Sequence, residues 1–196
     1  NRGYIRTALK DKGMEDISKE DLTQTVNAVR GAMDEILPGP MAVMKWIEDQ
    51  VKVAMKRGDD QLEWVTPSGF VVTQKLNKKL YERVQLQLLG KVNIRVATED
   101  GDEVDKNHHK NATSPNLIHS LDASLLCLST LRFDAPISLI HDCVLCRATD
   151  MSELSAIVRE VYMHIFSEDS YLETWAKQIG ADLPLPDDLI IGDLKP

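Results

Sequence analysis

A chain of 196 residues is long enough to bury one sizeable core, and a hydrophobic content of 43% with a mean hydropathy of -0.24 is that of an ordinary globular protein. Its formal net charge of -8 argues against a protein that coats nucleic acid non-specifically, and no apolar stretch reaches the roughly 18 residues that a membrane span requires. No basic-then-apolar signal opens the chain, and Cys127, Cys143 and Cys146 are too few and too clustered for a secreted disulfide framework, so the expectation is an intracellular protein with reduced thiols.

The opening "NRGYIRTALK" has no initiator Met and already reads as the first turns of an amphipathic helix, which suggests a fragment or processed product. Ser18 with Asp21 three residues later resembles a capping box, and Leu22, Val26, Val29, Met33, Ile36 and Leu37 follow at helical spacing. "PGP" at 38–40 stops this helix, and Pro40 fits the first turn of a second one. Met44, Ile47, Val51, Ala54 and Met55 form its apolar stripe, Gly58 ends it, and the two helices are expected to form a hairpin.

From Trp64 the texture changes. "WVTPSGFVV" places β-branched and aromatic residues on both sides of a Pro-Ser-Gly turn, a small β-hairpin. In "RVQLQLLGKVNIRV" a second hairpin is predicted with its turn near Gly90 and Lys91. Period-two alternation sets Arg83, Gln85, Asn93 and Arg95 on one face and the aliphatic residues on the other. "TEDGDEVDKNHHKN", 98–111, reads as a charged loop, after which Ser114 and Pro115 open a helix with Leu117, Leu121, Leu125, Leu128 and Leu131 as its core face. His119 and Asp122 project together from the opposite side. "PISLIHDCVLC" then reads as strand, His-Asp, strand. Two further helices follow in "DMSELSAIVREVYMHIF" and "SYLETWAKQI", and a loosely ordered tail is expected from Gly180. The fold class is therefore α+β, mostly helical with short antiparallel β-hairpins.

Four constellations carry candidate chemistry. Cys143 and Cys146 have zinc spacing, but the further ligands would have to be His108 and His109, and residues three apart on a strand face opposite ways. A Ser or Cys nucleophile beside His141 or His119 lacks a Gly-flanked elbow, and no Gly-rich phosphate loop occurs. Between Gly69 and Arg95 six basic residues stand against the single acid Glu82, within an acidic chain. That island is either a solvated face or a phosphate-facing strip, and its Arg, Gln and Asn side chains are the types that read base edges when a two-stranded ribbon enters the major groove. Asp142 lies in an apolar run, where an unpartnered buried carboxylate would cost several kcal/mol or lose its charge. Two arrangements would stabilise it, ligation of a divalent cation or capping of a tight turn by its own backbone.

These residues reach a known pattern. "SPNLIHSLDASL", 114–125, followed by "SLIHDCV", resembles the C-terminal palm region of single-subunit, phage-type DNA-dependent RNA polymerases, the group that includes mitochondrial enzymes. "WVTPSGFVV" and "LGKVNIRV" resemble the same family in the same order. The resemblance implies a right-hand polymerase palm and fingers: a fingers-like helical segment at 1–60, hairpins at 61–100, a palm segment at 112–180 and a tail at 181–196. Asp142 matches the magnesium-binding aspartate of the His-Asp motif, His141 its neighbour, and His119 an active-site histidine near template and incoming nucleotide. The hairpin carrying Arg83, Gln85, Asn93 and Arg95 is similar to the promoter-specificity loop.

The implied reaction is attack of an RNA 3'-hydroxyl on the α-phosphate of a nucleoside triphosphate, with pyrophosphate leaving, assisted by two Mg2+ ions about 3.5–4 Å apart. The implied partners are DNA template and promoter, RNA product, nucleoside triphosphates and the remaining N-terminal part of the polymerase, in an infected host cell or an organelle and not at a membrane. In the family the second metal-binding aspartate and the Lys and Tyr of the fingers helix lie upstream. The chain is therefore expected to be inactive alone, and Asp122 is not the missing ligand. A family A DNA polymerase shares the palm and a His-Asp motif, usually with an acid where Cys143 stands here. A non-catalytic helical interaction module or split-polymerase subunit is the reading from a different class.

Overall fold

The computed structural model describes residues 2–86, 92–168 and 171–186. Two compact units divide the chain, one built on the residues up to Lys45 and the other on Trp46 to Leu185.

In the first unit α1 (Arg2–Asp11) packs on α2 (Lys19–Ile36). The Arg2 guanidinium donates to the Lys19 carbonyl at 3.1 Å and to Thr23 Oγ1 at 2.7 Å. Ser18 caps α2 as its spacing predicts: its Oγ accepts from the Asp21 amide at 3.0 Å, a contact that contributes about 1 kcal/mol. Of the apolar stripe, Leu22 is buried, whereas Val29, Met33 and Ile36 are exposed. Leu37 closes α2 by donating its amide to the Met33 carbonyl, and Pro38, which has no amide hydrogen to leave unpaired, begins α3 (Pro38–Arg57).

The second unit holds the core. Trp46, Ile47, Val51, Ala54 and Met55 of α3 are buried, and Gly58, at φ 106, ends the helix as expected. Strands β1 (Leu62–Val65) and β2 (Val71–Gln74) pair antiparallel around the predicted turn, where Gly69 takes φ 83. Trp64 is buried against Trp175 of α6 (Tyr171–Gln178), edge to face with ring centroids 6.5 Å apart, and Trp46 meets the same ring at 5.9 Å. The outer edge of β1 is closed by side chains of α6: Gln178 Oε1 accepts from the Val65 amide, and the Tyr171 hydroxyl donates to the Val65 carbonyl at 2.7 Å. Burial pushes that phenol up to about 12.

The charged loop expected at 98–111 is instead strand and helix. β3 (Asn77–Leu86) and β4 (Val92–Val104) form a longer hairpin than the alternation predicts, and α4 (Lys106–Arg132) starts well before Ser114 and Pro115. The expected turn residues Gly90 and Lys91 lie outside the described residues. Asp105 is the cap, its carboxylate accepting from the His108 amide at 2.9 Å. Pro115 sits inside the helix, a position that ordinarily costs about 3 kcal/mol, so tertiary contacts hold the first turns. Those contacts centre on His109, which is fully buried, not a metal ligand in a loop. The Leu76 amide donates to its Nε2 at 3.1 Å, and the Gln74 amide lies 3.1 Å from its Nδ1 and 2.9 Å from Thr113 Oγ1. Leu117 and Leu121 face the core as predicted, but Leu131 is 77% exposed.

The final elements are β5 (Ile137–Ile140), β6 (Cys143–Cys146) and α5 (Met151–Met163), which packs on α4 and runs into a π-helical turn at His164–Glu168. Of the tail expected to be loose from Gly180, residues 180–186 are described, and they are tied to α3: buried Gln50 donates to the Leu183 carbonyl at 2.8 Å and accepts from its amide at 3.1 Å; the rest of that stretch lies outside the described residues. Arg57 donates to the carbonyls of Ile179 and Gly180, just beyond α6. The architecture is mixed α and β, with three separate two-stranded antiparallel sheets among the described residues. No helix among these residues is long and apolar enough to cross a membrane.

Folding lowers the His109 pKa below its ordinary 6.5, first by desolvation and then by His108, with Asp105 opposing. The unfolded chain takes up this proton near pH 6.5 and the folded chain does not, so stability present above pH 6.5 is lost as pH falls below it. Urea titrations from pH 7.5 to pH 5.5 are expected to give a falling unfolding free energy, and His109→Gln a shallower slope over the same window. An unchanged slope in the variant would assign the linkage to another group.

Candidate functional site

Four residues of α4, His119, Asp122, Ala123 and Leu126, recur at the spacing of one helical face and line one wall of a groove of about 460 Å³. His141 and Asp142, the two residues that join β5 to β6, close it. The structure thus brings His119, His141 and Asp142 together, and adds Asp122 to them.

The rotation of α4 that turns His119 outward is set from the opposite side. Trp64 Nε1 donates to Ser120 Oγ at 3.2 Å, and Ser68 Oγ, in the β1–β2 turn, lies 3.1 Å from Ser124 Oγ. Ser120 and Ser124 also return their hydroxyls to carbonyls of their own helix, which satisfies them in a tightly packed face.

At the hairpin tip, β5 and β6 pair from Ile137 with Cys146 to Ile140 with Cys143. A two-residue loop between such strands favours positive φ at its first position, usually filled by Gly. Here His141 takes it, at φ 55, a left-handed conformation that costs a non-glycine residue about 1 kcal/mol or more. Asp142 is exposed, and its Oδ1 accepts from Cys143 Sγ at 3.7 Å. The apolar run therefore does not bury the carboxylate. It carries it to the surface, where water solvates it.

An exposed aspartate is a hard oxygen ligand, the donor type that magnesium takes, usually with several waters retained. Asp142 fits that role as a single ligand. Among the described residues, no group of three or more His, Cys, Asp or Glu side chains converges to hold a metal by itself. Cys143 and Cys146 are free thiols, exposed and half-buried respectively.

The β3–β4 hairpin presents the second candidate surface. Its register sets Arg83 opposite Arg95 and Gln85 opposite Asn93, so the four expected base-reading side chains share one exposed face. Val84 and Ile94 pair on the other face, also exposed. Tyr81 shares the polar face, and the Arg95 guanidinium lies over its ring, 4.7 Å from the centroid. The contact of Tyr81 with Arg95 depends on the cross-strand register, which a single strand's pattern does not contain.

Comparison with known proteins gives these two surfaces a common context. The family model described as DNA-dependent RNA polymerase matches residues 1–185. Similar proteins include the DNA-directed RNA polymerase of Pseudomonas phage phiKMV, 32% identical over 79% of this chain and 19% of that protein. The mitochondrial DNA-directed RNA polymerase of Homo sapiens is 30% identical over 73% of this chain and 12% of its own length. The chloroplastic DNA-directed RNA polymerase 3 of Nicotiana sylvestris is 26% identical over 85% of this chain and 17% of its own. The chain thus spans less than a fifth of the length of each of these relatives. With a match that covers both the groove and the basic hairpin, the chain belongs to the phage-type DNA-dependent RNA polymerase family.

Proposed function

We propose that this chain is the C-terminal catalytic portion of a DNA-directed RNA polymerase, contributing one metal-binding carboxylate, Asp142, and a duplex-reading hairpin, β3–β4. The supporting observation is the convergence of Asp142 and His141, on a strained hairpin tip, with His119 on one open groove, in a chain of this family. The reaction is template-directed nucleotidyl transfer: the RNA 3'-hydroxyl forms a bond to the α-phosphorus of a nucleoside triphosphate, and the bond to pyrophosphate breaks.

Asp142 is the residue that would hold Mg2+, which when bound supplies charge neutralisation at phosphate oxygens and activation of the attacking hydroxyl. The protein's own contribution is placement. Two short strands hold the Asp142 carboxylate at a fixed height, and the left-handed backbone at His141 fixes the direction in which both side chains leave the turn. His119, one residue before the Ser120 that is tied to Trp64, stands on the facing wall and can donate or accept a hydrogen bond to nucleotide or nucleic acid. On the second hairpin, Arg83, Gln85, Asn93 and Arg95 face solvent together, with the donor and acceptor groups that pair with base edges in a major groove.

With the natural full-length polypeptide, Asp142→Asn is expected to lower extension of a primed RNA by at least about a thousandfold, the loss of several kcal/mol of charge stabilisation, while duplex binding stays within about twofold. Near-normal extension would remove Asp142 from the metal site. The 196-residue chain by itself is expected not to extend a primed RNA in Mg2+; robust extension would show that nothing further is needed. Arg95→Ala or Asn93→Ala is expected to change promoter preference more than elongation from a primed template. Equal losses in the two assays would count against base reading by the hairpin.

A further inference from the structure

The polar face of β3–β4 has a feature that the four base-reading residues do not explain. Arg83 and Arg95 are directly opposed across the ladder, and neither has an ion-pair partner among the described residues. Like charges in directly opposed positions repel, so the pairing is unfavourable in the free hairpin. It becomes favourable when both guanidiniums meet an electronegative surface, such as the major-groove edge of guanine or the phosphates beside it.

Tyr81 bears on the same pair. It is diagonal to Arg95, since its own direct partner is Ala97, and a diagonal neighbour is within reach of an aromatic ring. Tyr81 is 52% exposed, and the Arg95 guanidinium lies over its ring, with Cζ 4.7 Å from the centroid. A guanidinium stacked on a ring keeps its edge donors free, because the contact uses its flat face. Held over the ring in this way, Arg95 has less rotamer freedom to lose on binding, and in a face-on arrangement its edge donors stay free for paired hydrogen bonds.

We propose that Tyr81 is a positioning residue for duplex DNA recognition: its ring holds the Arg95 guanidinium flat on the polar face of the hairpin, beside Arg83, ready for paired hydrogen bonding to a guanine edge. This rests on the reading of β3–β4 as a duplex-reading element and adds a residue to it. The ring acts through Arg95 and contacts no base.

The experiment uses the natural full-length polypeptide and the duplex it enriches from a randomised pool, with every single-base-pair variant of that duplex. Affinities are measured by fluorescence anisotropy for the wild type, Tyr81→Leu, Tyr81→Phe, Arg95→Ala and the double variant Tyr81→Leu/Arg95→Ala. Arg95→Ala is expected to lose discrimination at one or two base pairs. Tyr81→Leu is expected to lose about two- to fivefold of discrimination at those same base pairs, the scale of an exposed cation–π contact. Tyr81→Phe, which keeps the ring, is expected to restore the wild-type value, and the double variant to be no worse than Arg95→Ala alone.

Full discrimination in Tyr81→Leu alongside a loss in Arg95→Ala would overturn the positioning role and leave the hairpin reading standing. So would a loss at different base pairs, an additive double variant, or failure of Tyr81→Phe to rescue. Wild-type discrimination in Arg95→Ala would overturn the reading of the hairpin itself, and the role of Tyr81 with it.

Discussion

The indole of Trp64 sets the orientation of the longest helix, and much of the molecule follows from that. One face of the ring system packs in the core with Trp175, which in turn meets Trp46, so α3, β1 and α6 share a single aromatic cluster. The polar end of Trp64 donates to Ser120. A helix of 27 residues is about 40 Å long at 1.5 Å per residue, and rotating it about its axis would carry every side chain to a new face. Fixing Ser120 against Trp64 and Ser124 against Ser68 leaves one rotation. With Leu117 and Leu121 inward, His119 and Asp122 are turned to the groove.

The second constraint is electrostatic. An aspartate amid Ile, Leu, Cys and Val raises the prospect of a buried charge, and the fold avoids it by placing the charge at the apex of a hairpin. The strands that flank it are themselves largely exposed: Leu139, Ile140 and Leu145 all face solvent in the isolated chain. The same is true of Val29, Met33 and Ile36 on α2 and of Val84, Ile94 and Val96 on the long hairpin. By contrast, Leu22, Trp46, Val51, Leu117 and Trp175 are buried. The apolar content is thus divided between a core that this chain completes and faces that it leaves open.

Local signals were legible wherever the physics is local. Ser18 with Asp21, Pro38 and Pro40 in the first turn of α3, Gly58 after it, and the Thr66 to Gly69 turn all act within a few residues, and each stands where its spacing predicts. The misreadings arose where distant residues override local preference. "TEDGDEVDKNHHKN" has the composition of a loop, yet its first half pairs with β3. Its second half is helical because Asp105 caps it and Gln74, more than thirty residues earlier, meets His109 in the core. Leu131 fits the heptad-like stripe of α4 but lies beyond the elements that cover it. Pro184 and its neighbours read as a free tail because nothing in their own sequence announces the amide of Gln50 or the indole of Trp46.

The order of the elements, the type of most of them outside 98–111, and the family were set by the sequence itself, since capping, turn chemistry and periodicity depend on spacing along the chain. Which of those residues share a site was decided by tertiary structure. His119 and Asp142 are separated by more than twenty residues, and they line one groove because an indole fixes the roll of a helix while a two-residue turn fixes the height of a hairpin. Tyr81 and Arg95 meet because of strand register, and His109 is buried because β2 and α4 close around it. Each of these depends on contacts between segments that are remote in sequence, whose geometry no local pattern encodes.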